Sequence, residues 1–114
     1  SADGHYYATA LVNDVPIRFV VDTGATSVVL RKEDAQAAGI DLDTLAFVKE
    51  AMTANGSVRI ATVRTESFGF SGAELPRFRV DVNEGQMSQS LMGMSYLQTF
   101  ERLEISGGKL VLQR

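Results

Sequence analysis

Turn-forming residues recur at short intervals along this chain and divide it into short segments rich in β-branched and aromatic residues. The clearest turn signals are Asn13-Asp14, Asn55-Gly56, Ser71-Gly72 and Ser106-Gly107-Gly108. Short strands with closely spaced turns are typical of closed, barrel-like all-β domains. Because 114 residues correspond to the size of one domain, we predict a single all-β domain over residues 1–114, with one or two short helices.

Hydrophobic pattern and turn chemistry together predict where the strands and helices lie. The predicted strands are residues 6–12, 15–21, 27–30, 47–53, 58–63, 62–70, 75–82, 103–105 and 109–112. The first two are joined by Asn13-Asp14 as a hairpin, and the Asn-Gly pair within Ala54-Asn55-Gly56-Ser57 predicts a second hairpin. Short helices are predicted at 32–38, ending at Gly39, and at 94–100.

The residue types that the chain lacks exclude several kinds of site. It has no Cys and a single His, His5, so one chain cannot form a disulfide, a Cys-ligated zinc site, an iron–sulfur cluster or a His-rich metal site. The net charge of −3 argues against nucleic acid as a partner. We therefore expect chemistry carried by carboxylates, hydroxyls, amines or backbone groups, with no cofactor and no metal.

The most informative segment is Asp22-Thr23-Gly24-Ala25, which lies between two apolar runs. This position predicts a carboxylate on a tight loop between buried strands, where Gly24 allows close approach and Thr23 can hydrogen-bond to the backbone. A rigid loop with a partly buried carboxylate suits acid–base chemistry. A purely structural turn, in which Asp22 bonds its own backbone two residues on, is the simpler interpretation. The apolar flanks favour the functional one.

Residues 21–30 resemble the active-site segment of the retropepsin-like aspartic proteases, in which Asp-Thr-Gly-Ala follows two hydrophobic residues and leads into a short apolar strand. Three weaker matches follow in the order of that family. Ala54-Asn55-Gly56-Ser57 lies where the family has its flap hairpin, Leu91-Met92-Gly93 resembles the segment beside the active-site loop, and 94–100 matches the next helix. The resemblance covers nearly the whole chain and implies the retropepsin fold.

This resemblance implies an aspartic endopeptidase in which two carboxylates act on one water. The chain contains Asp-Thr-Gly once, so it supplies half of such a site, and we expect a homodimer that pairs Asp22 with its symmetry mate. The family pattern implies that Thr23 contacts the partner loop, and that backbone at Gly24 and Ala25 meets an extended peptide. Further residues implied in substrate binding are Thr26, Ser27, Ala54, Asn55, Gly56 and Ser57, with Leu91, Met92 and Gly93 supporting the pocket.

The chain departs from the viral members of the family at several positions. Viral members carry two acidic residues where this chain has Thr26 and Ser27, and an Arg where it has Met94. The acid–Arg contact that supports viral dimers therefore has no counterpart here. The flap has a single Gly56 where viral flaps are rich in glycine. Residues 109–114 fit the family's use of chain termini in the dimer sheet.

The expected location follows from the bacterial single-domain members, which the chain most resembles and which usually carry an N-terminal membrane anchor facing the periplasm. The given sequence has no apolar run approaching the ~20 residues of a membrane-spanning helix, and no visible signal peptide. Because it begins at Ser1 rather than Met, we expect further residues upstream in the full-length protein. Site-specific processing of a protein substrate is favoured over bulk digestion by analogy with those members.

Two other functions remain open at this point. One is a catalytically silent module that keeps the fold for dimerisation or peptide binding. The other is half of a longer, pseudo-symmetric protease. For Met87, Met92 and Met94, core filling is the favoured role and lining an adaptable substrate pocket is the alternative, because flexible thioethers can do both.

Overall fold

The structure is a computed structural model that describes residues 6–53, 56–106 and 109–113. Within these ranges the chain forms eleven strands, two short α-helices and one 3₁₀ turn at Leu42–Thr44. The strands are β1 (Tyr6–Val12), β2 (Val15–Val21), β3 (Val29–Arg31), β4 (Lys49–Thr53), β5 (Gly56–Arg64), β6 (Ser67–Gly69), β7 (Leu75–Pro76), β8 (Arg79–Asn83), β9 (Ser90–Met92), β10 (Arg102–Ser106) and β11 (Lys109–Gln113). The helices are α1 (Lys32–Ala37) and α2 (Met94–Leu97). The predicted all-β class with short helices is confirmed.

The hairpin of β1 and β2 has the predicted boundaries. Asn13 and Asp14 have φ values of 52° and 67°, the left-handed backbone that a tight two-residue hairpin turn requires. The register runs from Tyr6 opposite Val21 to Val12 opposite Val15. Local turn chemistry therefore sets the register of β2, the strand that ends directly before Asp22.

Nine strands form one sheet in the order β4-β5-β8-β3-β9-β2-β1-β6-β7. At its centre β9 runs parallel to β2 and antiparallel to β3, and β3 runs parallel to β8. This arrangement brings the end of β2, the start of β3 and the end of β9 together. The two segments that the sequence analysis singled out, residues 21–30 and 91–93, therefore meet at one place.

The helix α1 begins and ends as predicted, to within one residue. Its Ala35 is fully buried against the core. Gly39 has a φ of 85°, and its backbone N–H bonds to the carbonyl of Gln36. A left-handed residue at this point ends a helix at little steric cost when it is glycine.

The helix α2 is shorter than the predicted 94–100 and is held by the side chain of Tyr96. The Tyr96 ring lies edge-on to Phe68, with centroids 5.0 Å apart. Its hydroxyl donates to the carbonyl of Ala73 at 2.9 Å and accepts from the N–H of Phe70 at 3.0 Å. Because the buried hydroxyl is satisfied in both roles, the helix that follows residue 93 is fixed to the opposite part of the core.

Two long predicted strands are wrong, because each is broken by a turn. The segment 62–70 is interrupted at Thr65 and Glu66, where the Asn13 side chain accepts from the backbone N–H of Glu66 at 2.7 Å. The segment 75–82 is interrupted at Arg77, which has a φ of 52° and donates its N–H to the Glu66 carbonyl. The short strand predicted at 27–30 lies instead at Val29–Arg31.

The strands β10 and β11 pair with each other in a separate two-stranded sheet. On this hairpin Val111 is 47% exposed. An isolated two-stranded hairpin is at best marginally stable in water, so this segment gains most from additional neighbours. Among the residues that the structure describes, no helix combines the length and apolar character needed to cross a membrane.

Candidate active site

Asp22 is the first residue after β2, and neighbouring strands determine its position. Its backbone N–H donates to the carbonyl of Met92 at 3.0 Å, which extends the parallel pairing of β2 and β9 by one bond. The Asp22 side chain is half-buried, while Thr23 and Gly24 are exposed. The carboxylate therefore lies at the surface end of a buried strand, with a short exposed loop after it.

The loop closes on itself through Asp22. The N–H of Gly24 donates to Asp22 Oδ1 at 2.9 Å, and the N–H of Ala25 donates to the Asp22 carbonyl at 3.1 Å. The structural turn considered from the sequence is therefore present, and it occurs within the candidate site rather than in place of it. A Cβ at position 24 would lie 3.3 Å from Asp22 Oδ1, so glycine avoids a tight contact with the carboxylate.

Residues 93–95 pack against this loop and hold it through backbone hydrogen bonds. The N–H of Met94 donates to the Ala25 carbonyl at 2.8 Å, and that of Ser95 to the Thr26 carbonyl at 2.7 Å. A Cβ on Gly93 would overlap the carbonyl oxygens of Ser27 and Ala25. Only glycine permits this approach, which explains the glycine of the Leu91-Met92-Gly93 segment in physical terms.

A polar network that the sequence analysis missed joins β3, α1 and β9 near the same place. Arg31 Nε lies 3.0 Å from Asp34 Oδ2, and this ion pair raises the pKa of the Arg31 guanidinium above its ordinary value. The buried Ser90 hydroxyl donates to Asp34 Oδ2 at 2.7 Å and accepts from the Arg31 backbone N–H at 3.0 Å. Arg31 and Asp34 are only three residues apart, but Ser90 lies more than 50 residues further along the chain, so no local signal could have added it to the network.

The second predicted hairpin is present as β4 and β5, with Thr53 opposite Gly56. Ala54 and Asn55 lie outside the described residues. Gly56 has a φ of 112°, and Ser57 is exposed and pairs with Met52. The hairpin projects apolar side chains into solvent, because Met52 is 82% exposed.

A cavity of about 490 Å³ lies between the loop after Asp22 and this hairpin. Its lining comes from the loop, from the hairpin and from β3, β8 and β9. The lining residues are Ala25, Thr26, Ser27, Val29, Ala51, Met52, Val58, Ile60, Asp81, Asn83, Met87 and Leu91. Four predicted site residues, namely Ala25, Thr26, Ser27 and Leu91, line it, whereas Asp22, Thr23 and Gly24 do not.

The methionines divide between the two roles left open by the sequence. Met92 is fully buried in the core, and Met94 packs against that core. Met87 lines the cavity.

Asp81 is a further residue lining this cavity, and the sequence analysis treated it as an ordinary position of the predicted strand 75–82. The signal that could have identified it is the alternation Val80-Asp81-Val82-Asn83, which puts two polar side chains on one face of a buried strand.

Comparison with known proteins gives a consistent result. Residues 8–99 match the sequence model of a family described as "gag-polyprotein putative aspartyl protease". The chain is 41% identical over 112 residues to the uncharacterized protein RP867 of Rickettsia prowazekii (strain Madrid E), covering 98% of this chain and 48% of that protein. It is 36% identical over 112 residues to an uncharacterized protein in the cobV 5′ region of a Sinorhizobium species, covering 97% of this chain and 48% of that protein. The chain thus spans about half the length of these relatives.

Solved structures extend the likeness to the fold. A retropepsin-like aspartic protease from Rickettsia conorii superposes with a TM-score of 0.85 at 40% identity, covering 96% of this chain and 91% of that one. The EIAV protease complexed with the inhibitor HBY-793 superposes with a TM-score of 0.71, covering 85% of this chain and 88% of that one. Because the identity is only 18%, this match supports the fold alone. With the Asp-Thr-Gly loop braced by the Gly93 segment, these matches show that the chain belongs to the retropepsin-like aspartic protease family.

Proposed function

We propose that the chain is an aspartic endopeptidase that acts as a homodimer, with Asp22 of each subunit forming the catalytic pair. The observation that carries this proposal is the half-buried Asp22 carboxylate at the end of β2, held by the Gly24 N–H at 2.9 Å. A carboxylate whose loop is braced by backbone bonds is already positioned before substrate binds. The exposed loop beyond it is free to meet a second copy.

The proposed mechanism uses the two carboxylates as one unit. Like charges a few ångströms apart cannot both ionise, so the pair shares one proton and titrates as a pair. The ionised carboxylate takes a proton from the water, and the water oxygen bonds to the peptide carbonyl carbon. The protonated carboxylate gives its proton to the carbonyl oxygen. The resulting tetrahedral diol collapses as the C–N bond breaks. One diol hydroxyl returns its proton to the ionised carboxylate, and the leaving amine takes the proton of the protonated carboxylate.

The homodimer is proposed because one chain carries one Asp-Thr-Gly sequence. A two-fold contact places each surface patch against its own copy, which would bring the two Asp22 loops together and put Thr23 against the partner loop. The separate β10–β11 hairpin supports this assembly, because a two-stranded sheet with a 47% exposed Val111 gains neighbours from a partner's termini. Half of a longer pseudo-symmetric protease is the competing assembly.

The substrate is proposed to be an extended peptide that lies between the Asp22 loop and the β4–β5 hairpin. That hairpin would serve as the flap. The exposed Met52, and Val48 at 80% exposure, supply apolar surface for peptide side chains to cover. Backbone at Gly24 and Ala25, with Thr26 and Ser27, would bind the peptide from the other side, as an added strand is bound.

Location and physiological role are proposed from the family resemblance. We place the full-length protein on the periplasmic side of a bacterial inner membrane, held by an N-terminal anchor, where it would process a specific protein substrate. The comparison with bacterial relatives from Rickettsia and Sinorhizobium supports a bacterial setting. A membrane-fraction assay of the full-length protein, with protease accessibility from the periplasm, tests this placement.

Replacement of Asp22 by Asn tests the peptidase proposal. Asn keeps an oxygen that can accept from the Gly24 N–H, so the loop should fold, while the proton-transfer pair is lost. We expect cleavage of a fluorogenic peptide library to fall by about 10⁴-fold or more, in line with losses on removing acid–base groups. Asp43→Asn, at an exposed aspartate in the 3₁₀ turn, is the matched control and should keep full activity.

Three outcomes separate the alternatives. Undiminished cleavage by purified Asp22→Asn would contradict the proposed chemistry. A folded wild type that binds peptides and cleaves none would indicate the silent binding module. Sedimentation of active wild-type protein as a monomer would contradict the shared site.

A further inference from the structure

Asp81 is a buried carboxylate beside the candidate site with no role in the proposed chemistry. It lies in the middle of β8, opposite Val29 of β3 and Thr62 of β5, and is only 8% exposed. Its chain neighbours Val80 and Val82 point to the other face and pack in the core. Burying a carboxylate in a strand interior is costly unless hydrogen bonds or a cation compensate it.

The compensation visible within the chain is incomplete. Asp81 Oδ1 accepts from the Thr62 hydroxyl at 2.9 Å, and that hydroxyl accepts from Lys49 Nζ at 3.1 Å. Within the described ranges, Asp81 Oδ2 has no hydrogen-bond donor and the carboxylate has no ion pair within 4.0 Å. An ionised carboxylate can accept about four hydrogen bonds, so capacity remains for a donor from outside.

The surroundings of Asp81 determine what kind of group could supply that donor. Asp81 lines the 490 Å³ cavity together with apolar side chains such as Val29, Ile60 and Leu91. It also lines an adjoining cavity of about 260 Å³ with Thr26, Ser27 and Ser95, whose buried hydroxyl has no partner in the part of the chain that the structure describes. A side chain with a long apolar stem and a hydrogen-bond donor at its tip matches this combination of apolar lining and unsatisfied polar groups.

Two cations of the chain lie near Asp81 without pairing with it. Lys49 reaches only the Thr62 hydroxyl, and Arg79 lines the smaller cavity. Both side chains belong to exposed residues, so solvent screens their charge. Asp81 itself is only 8% exposed, so a cation delivered into the cavity beside it would interact with its carboxylate more strongly than these two do.

We propose that Asp81 makes this cavity selective for a basic side chain of the peptide, Lys or Arg. The aliphatic stem packs against Val29, Ile60 and Leu91, and the cation donates to Asp81 Oδ2. This inference rests on the proposed peptidase function and names the substrate class of the same site. Asp81 is thus a specificity-determining residue, and the Asp22 loop performs the reaction.

Cleavage of a matched peptide series by the wild-type protein tests the proposal without any mutation at Asp81. At each position around the cleaved bond, the series carries Lys, Arg, norleucine or Glu. We expect one position at which kcat/KM is about tenfold or more higher for Lys and Arg than for norleucine, and lowest for Glu. A charge-assisted hydrogen bond in a desolvated site supplies a factor of that order.

The Asp81→Asn variant assigns the preference to this carboxylate. Asn keeps an oxygen for the Thr62 hydroxyl and removes the charge, so the preference for Lys over norleucine should fall to about twofold or less. Asp43→Asn, the same change at an exposed site, should keep the full preference. A preference retained in Asp81→Asn, or no preference at any position in wild type, overturns the proposal.

Binding to the Asp22→Asn variant separates this inference from the peptidase function. Fluorescence polarisation with the same labelled peptides should show tighter binding of the Lys and Arg peptides, and the Asp22→Asn/Asp81→Asn double variant should lose that difference. Selective binding without any cleavage by wild type would support the role of Asp81 and contradict the peptidase function. Cleavage by wild type, with equal binding and equal cleavage of all four peptides, would support the peptidase function and contradict the role of Asp81.

Discussion

The loop that carries Asp22 and the β4–β5 hairpin face each other across one cavity, and they are built in opposite ways. The loop is bonded to β9 and α2 through the carbonyls of Met92, Ala25 and Thr26. The hairpin is attached to the sheet through β5 alone; its Met52 is almost fully exposed, as is Val48 directly before β4. The difference teaches that one wall of the candidate site is held by backbone hydrogen bonds to its neighbours, whereas the other has few attachments, as the proposed flap would need.

Substitution of Gly93 by Ala tests the fixed wall and should have the largest effect on stability. The new Cβ would overlap backbone carbonyls of Ser27 and Ala25, which cannot move without breaking the bonds to Met94 and Ser95. We expect the free energy of unfolding to fall by about 3 kcal/mol, measured by urea denaturation. Activity should be lost as well, because the Asp22 loop must shift.

Gly24→Ala is the matched control for that measurement. The nearest atom to its added Cβ is Asp22 Oδ1 at 3.3 Å, and its backbone is not left-handed. Its unfolding free energy should therefore stay within about 1 kcal/mol of wild type. Equal losses for the two variants would refute the claim that the Gly93 contact braces the loop.

Substitution of Ser90 by Ala should have an intermediate effect on the same wall. The change removes the hydroxyl that accepts from the Arg31 N–H and donates to Asp34, and leaves that part-buried N–H without its partner. We expect a loss of about 1–3 kcal/mol in unfolding free energy, measured by thermal and urea denaturation. An unchanged stability would mean that water replaces the hydroxyl and that the network does not hold β9.

Substitution of Met52 by Ser should have the smallest effect on stability and sharpens the contrast with the loop. Because Met52 is 82% exposed, we expect a change within about 0.5 kcal/mol. If the hairpin covers the peptide as proposed, KM should rise severalfold while kcat changes little. A large loss of stability would show that the hairpin is packed against something else.

Local chemistry explains which parts of the fold could be predicted. The β1–β2 hairpin was predicted with its boundaries because Asn13 and Asp14 are residues that tolerate a left-handed backbone. The end of α1 was predicted for the same kind of reason at Gly39. The Asp22 loop was identified because a carboxylate and a glycine between two apolar runs form an unusual combination.

The errors arose where distant residues decide the backbone. The continuous strand predicted at 62–70 is broken because Asn13, about 50 positions earlier, supplies an acceptor to the Glu66 N–H. The break at Arg77 depends on the same turn, since its N–H donates to the Glu66 carbonyl. Sequence pattern within a window of ten residues contains no information about such partners.

By itself, the sequence determined the residues that can do chemistry, the turns that set the register of β2 and the family to which the chain is similar. These depend on residue type and near neighbours alone. Only the tertiary structure decided that Gly93 supports the Asp22 loop, that Ser90 joins β3 to β9 through Asp34, and that Asp81 faces a cavity. The physical reason is that close approach, burial and hydrogen bonding between distant segments exist only once the sheet has brought them together.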